Sequence, residues 1–428
     1  MAADAATRRA IEAVWRIESA RLIGALARIV GDLGLAEDLA QDALVDALRR
    51  WPESGVPDRP GAWLMAAAKF RAIDLLRRGK RLERKHEELA RELGLALALA
   101  LDGAEFDAVV NDTIEDDVLR LMCACCHPLL STEARVALTL RLLGGLQTAA
   151  IARAFLVSPS TVAQRIVRAK RTLSAAKVPF EVPARDELTP RLASVLEVLY
   201  LIFNEGYSAT AGDDWMRPQL CEEALRLGRI LAELTPSESE VHGLVALMEL
   251  QAARTPARID AAGEPVLLGD QDRTRWDRLL IRRGLAALER AERLEAEPGP
   301  YALQAAIAAC HARARTASAT DWPQIAALYD ALARRSPSPV VELNRAVAVA
   351  MAFGPAPGLV LVERLAGEPA LASYHLLPSV RGELLAKLGR SDEARAEFAR
   401  AASLTQNRRE RALLEARAAA CEQQPSWQ

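Results

Sequence analysis

The sequence predicts an all-α protein with two small helical domains followed by a larger, α-solenoid-like domain. Of its 428 residues 51% are hydrophobic but only 4% are aromatic, and Ala, Leu and Arg dominate. This composition favours helix over strand, and apolar residues recur at helical spacing along the chain. The length allows about two to four domains, each with its own core.

The first predicted domain, residues 1–85, contains an amphipathic helix, LAEDLAQDALVDALRRW. One face is acidic and carries Asp38, Asp42 and Asp46. The opposite, apolar stripe comprises Leu39, Ala43, Ala47, Leu48 and Trp51. The segment that follows is rich in Pro and Gly and predicts a loop from Pro52 to Pro60.

A second helix, AWLMAAAKFRAIDLLRRGKRLERK, follows this loop and ends in a basic cluster. Its predicted apolar stripe is Trp63, Ala67, Phe70 and Ile73. The cluster comprises Arg77, Arg78, Lys80, Arg81, Arg84 and Lys85. Cations favour a helix C-terminus, but six of them exceed what capping requires.

Residues 86–117 are predicted to form an acidic linker. Ten acidic side chains accompany one basic residue, Arg91, in this stretch. The linker either connects two basic domains and competes with nucleic acid for a positive channel, or it only improves solubility. The sequence leaves both alternatives open.

Residues 118–178 are predicted to contain a helix-turn-helix domain. Between Ser131 and Lys177 there are eight basic residues and a single acid, Glu133, in a chain of net charge −2. Such a local excess of positive charge suits a surface that meets phosphates. The apolar pattern predicts two helices, a turn and a final helix.

The final helix has the features of a DNA-recognition helix. It begins with Ser158 as N-cap and Pro159 at the first helical position. Its predicted packing face is Val162, Ile166, Ala169 and Leu173. The opposite face carries Thr161, Gln164, Arg165, Arg168 and Arg171. Short polar groups and Arg on a helix in the major groove can bind base edges and phosphates. The alternative is a solvated basic helix on an ordinary bundle.

The segment LMCACCHPLL, with Cys123, Cys125, Cys126 and His127, invites a zinc interpretation. Four ligands within one helical turn cannot surround a tetrahedral ion without partners from another segment. We therefore predict helix-core thiols ending at Pro128, and no metal site. The six cysteines show no pairing framework, as expected for reduced thiols in a cytosol.

Residues 185–420 are predicted to form a helical-repeat domain. Three triplets with the spacing i, i+4, i+7 recur 33 and 36 residues apart. They are Ile325, Tyr329 and Leu332; Gly358, Val362 and Leu365; and Ala394, Phe398 and Ala401. A period near 34 is typical of tetratricopeptide-like helical hairpins, the alternative being an unrelated α-bundle.

The motif NEGYSAT, residues 204–210, has two interpretations. Asn204, Glu205 and Tyr207 could line a ligand site, because polar loops on rigid helices often bind ligands. The motif could instead mark a helix that ends at Gly206 in a left-handed cap.

Several functional classes find no support in the sequence. No signal peptide and no apolar run long enough to span a membrane is visible, so we expect a cytoplasmic protein with no membrane partner. The chain lacks a phosphate-binding glycine loop, a nucleophile elbow and an HExxH motif. We therefore expect no enzyme activity, no catalytic residue and no cofactor.

Two segments resemble bacterial sigma factors of the sigma-70 family. EDLAQDALVDALRRW with RPGAWLMAAAKFRAIDLLRR resembles their region two, and residues 131–177 resemble region four. No third sigma domain lies between them, which resembles the extracytoplasmic-function group. CCHPLLSTEARVALTLRLLGGL and YLIFNEGYSAT resemble a subgroup with a tetratricopeptide-like C-terminal extension. The resemblance implies a non-enzymatic subunit that directs promoter recognition and transcription initiation.

The resemblance also implies partners and contact residues. The helix around Asp38, Gln41 and Asp42 would dock on the clamp helices of the largest subunit of core RNA polymerase. The flap region of the polymerase is a further expected contact. The promoter −10 element would contact the loop from Pro52 to Pro60 and Lys69, Arg71, Asp74, Arg77 and Arg78. The −35 element would contact Ser160, Thr161, Gln164, Arg165, Arg168 and Arg171. Phe70 departs from related helices, which often carry Asn there.

We further expect the C-terminal extension to modulate activity, with a regulatory protein or ligand as its partner, because helical-repeat domains present extended concave surfaces to partners. An alternative function is a one-component DNA-binding regulator or adaptor whose helical-repeat domain binds a ligand or protein. The acidic, apolar helix at 37–51 favours the sigma factor, because a simple DNA-binding regulator would not need it.

Overall fold

The protein folds into two compact units, residues 1–199 and 200–428, in a computed structural model of the chain. The structure describes residues 2–79, 117–155, 157–183, 185–209, 211–212, 215–260 and 264–422. Nearly all of these residues are helical or lie in short connections between helices. The all-α prediction is confirmed.

The first unit begins with three helices that pack on one another: α1 (Ala2–Val30), α2 (Leu33–Ser54) and α3 (Pro60–Gly79). Asp32 is the N-cap of α2, and its carboxylate accepts a hydrogen bond from the Leu35 backbone N–H at 2.8 Å. Trp51, fully buried at the end of α2, contacts Trp63 edge to face with ring centroids 5.4 Å apart. The predicted loop is shorter than expected, because α2 continues through Pro52 to Ser54.

Two apolar positions of the predicted stripes are not in the core. Leu48 is 43% exposed and Phe70 is 61% exposed. On α3 the buried face is instead Leu64, Ala68, Ala72 and Ile73. Leu64, Ala68 and Ala72 follow one another at four-residue spacing. The two alanines let the neighbouring helices approach closely, and the bulkier Phe70 lies on the outer side of α3.

The structure describes little of the acidic linker. Of residues 86–117, only Asp117 is described, and it belongs to α4, whose described residues are 117–125. Its carboxylate is fully buried and pairs with Arg28 of α1 at 3.1 Å and with Arg120 at 2.6 Å. A Cβ at Gly24 would lie 2.7 Å from the Asp117 carbonyl oxygen, so α4 lies directly against α1.

The helix-turn-helix follows α4 and consists of α5 (Thr132–Leu142), α6 (Thr148–Ala154) and α7 (Pro159–Ala175). Both α5 and α6 pack against α7. The turn before α6 contains Gly145 at φ +64°, a conformation that favours glycine. Two helices, a turn and a final helix are therefore arranged as predicted.

The cysteines at the end of α4 are core thiols, as predicted. Cys123, Cys125 and Cys126 are buried and unpaired. Burial raises the pKa of Cys123 to about 11 and that of Cys126 to about 12. Within the described ranges no three His, Cys, Asp or Glu side chains lie close enough together to hold a metal ion.

The boundary between the units falls within α8 (Arg185–Tyr207). The second unit continues with α9 (Pro218–Leu234), α10 (Ser239–Ala252), α11 (Arg278–Leu294), α12 (Pro300–Arg313), α13 (Trp322–Arg335), α14 (Pro339–Phe353), α15 (Pro355–Arg364), α16 (Leu376–Lys387), α17 (Ser391–Leu404) and α18 (Arg408–Glu422). From α9 onward, each helix contacts the next one in sequence. This pattern of neighbour contacts is the one expected of stacked helical hairpins.

The three predicted repeat triplets lie on alternate helices, α13, α15 and α17, with Leu365 directly after the last residue of α15. Seven of their nine residues are buried, the partly buried ones being Tyr329 and Leu365. Gly358 lets α15 approach α14, because a Cβ there would lie 2.5 Å from the Ala350 Cβ. The period near 34 therefore corresponds to one helical hairpin per repeat.

A short parallel ladder joins two distant parts of the second unit. Strand β1 (Ala211–Gly212) pairs with β2 (Gln406–Asn407), Ala211 opposite Gln406. The Asn407 side-chain amide also donates to the Ala209 carbonyl at 3.2 Å. The beginning of the unit is thereby bonded to the segment between its last two helices.

The NEGYSAT motif is part of a packed helix and its following turn. Helix α8 continues through Gly206 to Tyr207, so the predicted left-handed cap at Gly206 is wrong. Gly206 serves a close approach instead, because a Cβ there would lie 2.6 Å from the Cys221 backbone nitrogen. Glu205 pairs with Arg217, and Arg258 stacks on Tyr207 with its guanidinium carbon 3.6 Å from the ring centroid.

No helix in the described part of the chain is both long enough and apolar enough to cross a membrane.

We expect Gly206→Ala to destabilise the second unit by about 1–3 kcal/mol, because the added methyl group must displace the backbone at Cys221. Thermal and urea unfolding of the full chain would measure the change. Gly269→Ala is the matched control, since a Cβ at Gly269 meets nothing within 4 Å. Equal stability of the two variants would contradict the packing role of Gly206.

Candidate nucleic-acid interface

Helix α7 is built as the sequence predicts. The Ser158 hydroxyl accepts a hydrogen bond from the Thr161 backbone N–H at 3.1 Å, and Pro159 begins the helix. The predicted packing face, Val162, Ile166, Ala169 and Leu173, is fully buried. Cap and core together fix the direction in which the opposite face points.

The outward face of α7 presents polar and cationic groups to solvent. Gln164, Arg168 and Arg171 are exposed, and Arg165 is half-buried. At the start of the helix, Thr161 is half-buried, while Ser160 is exposed with its hydroxyl 2.8 Å from that of Ser158. The structure therefore brings the six residues predicted to bind the −35 element to one end and one face of a single helix.

The acidic face of α2 is only partly open. Asp38 and Asp42 are exposed, whereas Gln41 donates a hydrogen bond to Glu37 at 2.6 Å. Asp42 pairs with Arg71 of α3 at 2.8 Å, and Arg71 also pairs with Asp46 at 2.5 Å. A residue predicted to contact polymerase is thus ion-paired with one predicted to contact DNA.

The remaining predicted DNA contacts lie along α3. Asp74 is exposed, next to the exposed side chains of Phe70 and Leu75. Lys69 is half-buried, and burial lowers its pKa, as does nearby Arg28 against the opposing effect of Asp117. The side chains of Arg77 and Arg78, and the residues of the basic cluster beyond them, lie outside the described part of the structure.

A buried ion cluster joins α2 to the helix-turn-helix. The Glu37 carboxylate is buried and accepts hydrogen bonds from Arg141 of α5 at 2.7 Å and from Lys170 of α7. Burial raises the pKa of Glu37, but the two cations outweigh that effect and hold it below its ordinary value. We call these three residues the Glu37 cluster.

Sequence reasoning did not identify the Glu37 cluster. Glu37 belongs to a run of acidic residues on α2 and Lys170 to a run of basic residues on α7, where each was indistinguishable from its exposed neighbours. One signal was present. Glu37 and Lys170 each flank an apolar stripe, beside Ala40 and Ile166 respectively, where a side chain lies at the rim of a packed face.

Comparisons with known families match both segments of this unit. Residues 16–82 match the family model of sigma-70 region 2, and residues 121–173 match that of sigma-70 region 4. The second match contains the whole of α5, α6 and most of α7, and the first contains α2 and α3. The first unit therefore carries two regions of the sigma-70 family, region 2 and region 4.

Relatives of this chain cover different parts of it. An uncharacterized protein of Rhizobium meliloti is 46% identical over 396 residues, which are 92% of this chain and 91% of the relative. A protein of Mycobacterium tuberculosis described as probable ECF RNA polymerase sigma factor SigI is 30% identical over 183 residues, 42% of this chain and 60% of that protein. Residues 191–292, in the extension, match a family of unknown function, DUF6596.

Proposed function

We propose that this chain is a sigma factor of the extracytoplasmic-function type. It would direct core RNA polymerase to promoters whose −35 element binds to α7 and whose −10 element binds to α3 and the preceding loop. The observation that supports this most directly is α7, a capped helix with a buried inner face and an outer face of Gln164, Arg168 and Arg171. On such a helix, Gln and Arg can make paired hydrogen bonds to adenine and guanine edges.

The α2 and α3 pair supplies the other proposed contacts. Asp38 and Asp42 give α2 an exposed acidic face, which would dock on a basic surface, the clamp helices of the largest polymerase subunit. Region four would contact the flap region. On α3, the exposed ring of Phe70 lies between Lys69 and Arg71 in the sequence, and aromatic and cationic residues together suit a single strand whose bases stack on aromatic groups. Binding a flipped base in this way would offset the cost of unstacking.

We expect Arg165→Ala and Arg168→Ala each to weaken binding of a −35 duplex. A lost base contact should cost about 1–3 kcal/mol, and a lost phosphate contact should lower the salt slope by about 1. Fluorescence anisotropy across a salt titration would separate the two cases. Arg282→Ala, an exposed arginine of α11, serves as the control. Wild-type affinity and slope in both variants would exclude α7 as the recognition helix.

Reversal of the acidic face of α2 should abolish holoenzyme formation. In Asp38→Lys/Asp42→Lys, two exposed anions become cations that repel a basic polymerase surface. Pull-down of core polymerase by the full chain measures the loss, and circular dichroism checks that the helices persist. Glu53→Lys, exposed near the end of the same helix, is the matched control. Capture of core polymerase at the wild-type level by the double variant would contradict the docking role of the acidic face.

We propose further that the C-terminal extension raises activity by lowering the ordering cost of polymerase binding. Its stacked hairpins offer the extended surface that solenoids present to partners. The truncation that tests this must keep the first half of α8, because Ser194 donates to the Cys126 carbonyl at 2.7 Å and Arg135 pairs with Glu197 at 3.0 Å. A stop at Val178 would strip these contacts from the helix-turn-helix.

Truncation after Leu199 should therefore leave a folded first unit with reduced run-off transcription. The full chain at equal concentration is the reference, and binding of a −35 duplex checks that α7 remains intact. Higher transcription from the truncated chain would reveal an inhibitory extension. Equal transcription would show that the extension serves another partner.

A further inference from the structure

The connection between α10 and α11, residues 253–277, carries three wholly or partly buried arginines that lack an acidic partner. Arg254 is half-buried, and Arg258 and Arg273 are each only 7% exposed. Among the described residues, all three donate hydrogen bonds to neutral oxygen atoms and none forms an ion pair with a carboxylate. Buried charges are normally paired, because their removal from water is costly. We call these three residues the arginine cluster.

The arginine cluster lies against two aromatic rings. The guanidinium carbons of Arg254 and Arg273 are 5.7 and 5.0 Å from the ring centroid of Trp276. Arg258 stacks on the ring of Tyr207 and donates a hydrogen bond to its backbone carbonyl oxygen. Burial lowers the pKa of Arg258 and of Arg273, and the charge of Arg254 contributes to the lowering at both. Arg254 is therefore close enough to repel each of the other two cations.

Four buried polar atoms beside the arginine cluster have no hydrogen-bond partner within the described part of the chain. They are Tyr207 Oη, Arg273 Nε, Trp276 Nε1 and His311 Nδ1. The first three carry a hydrogen that they can donate. Burial, with Arg254 and Arg273, lowers the pKa of His311 to about 4, so its ring is neutral at pH 7 and one of its nitrogens is also a donor. Because buried polar groups are nearly always satisfied, these four point to an acceptor-rich ligand.

Helix capping accounts for only part of this arrangement. Arg273 donates to the His311 and Ala314 carbonyl oxygens at 2.9 Å, at the C-terminal end of α12, and Arg258 binds the last residue of α8. A helix C-terminus carries about half a negative charge, so two of them offset roughly one of the three positive charges. Capping leaves the charge of Arg254 and the four unpartnered polar atoms unexplained.

The acidic residues of the same connection do not neutralise the arginine cluster. Asp272 is exposed and accepts a hydrogen bond from the Thr274 backbone N–H at 2.9 Å. Asp277 is exposed and caps α11, accepting from the Leu279 backbone N–H at 2.8 Å. The cluster therefore keeps an excess of positive charge, which attracts anions.

We propose that the arginine cluster, with Tyr207, Trp276 and His311, forms a binding site for a small phosphate-bearing anion. A guanidinium group can pair with two phosphate oxygens through parallel hydrogen bonds. A phosphate dianion also matches the excess positive charge better than a monocarboxylate does. The site lies in the extension, and its binding activity is additional to the proposed promoter recognition.

Arg254 is the edge at which the anion enters, because it is the most exposed member of the arginine cluster. Its guanidinium now donates to the side-chain oxygens of Gln251 at 3.0 Å and Gln271 at 3.4 Å. Phosphate oxygens replace these two neutral acceptors when the ligand binds. A hydrogen bond between charged groups is stronger than one to a neutral amide, so the exchange favours the bound state.

Calorimetric titration of the full chain tests the site with inorganic phosphate, glycerol phosphate and adenosine monophosphate, at an ionic strength held constant with chloride. We expect saturable binding, and an unfolding temperature that rises with ligand concentration because the ligand binds the folded state. Tighter binding of an ester identifies a phosphorylated metabolite as the ligand, and tightest binding of inorganic phosphate identifies free phosphate. Absence of binding by all three compounds overturns the proposal.

Two variants locate the binding. We expect Arg254→Gln and Tyr207→Phe each to bind the tightest of the three compounds roughly tenfold more weakly, through loss of one charge-assisted hydrogen bond. Neither should lower the unfolding temperature without ligand, because one removes a repelling charge and the other a hydroxyl that has no partner. Arg275→Gln, an exposed arginine of the same connection, is the matched control.

Wild-type affinity in both Arg254→Gln and Tyr207→Phe overturns the proposal. A lower unfolding temperature of these variants with unchanged affinity would show that the two groups serve only the fold. The titrations contain neither polymerase nor DNA, so their outcome does not depend on the proposed promoter recognition.

Discussion

One buried carboxylate governs how the two halves of the first unit meet. Burying the charge of Glu37 would cost several kcal/mol if it were unpaired, so α2 can pack against the helix-turn-helix only with Arg141 and Lys170 both in place. This requirement divides the basic residues of the helix-turn-helix into two groups. Arg141 and Lys170 satisfy an internal charge, and Arg168 and Arg171 remain in solvent. On α7, Lys170 thus stabilises the fold, while Arg168 and Arg171 are available to a partner.

The features of α7 were predictable from sequence because they are local. The Ser158 cap, the proline beside it and the buried stripe from Val162 to Leu173 all lie within one helix, so spacing alone defines them. The repeat period of the second unit is predictable for a related reason. Each hairpin packs on its neighbours, and the same small and apolar positions therefore recur from one hairpin to the next.

Features that depend on distant partners were not predictable. Phe70 and Leu48 fit apolar stripes, but which face of a helix is covered depends on where the neighbouring helices pack, and alanines took the inner positions of α3. Glu37 resembled an ordinary surface acid because Arg141 and Lys170 follow it by 104 and 133 residues. The contacts of Gly206 with Cys221 likewise became visible only once α8 and α9 were packed together.

The pairing of β1 with β2 fixes the length of the C-terminal array. An open solenoid can gain or lose a repeat at either end, because each repeat contacts only its neighbours. Here Ala211 is bonded opposite Gln406, so an inserted hairpin would move one strand away from the other by the thickness of a repeat. The array is therefore a closed structure of set size, in which hairpins between the two strands cannot be duplicated or deleted without breaking the ladder.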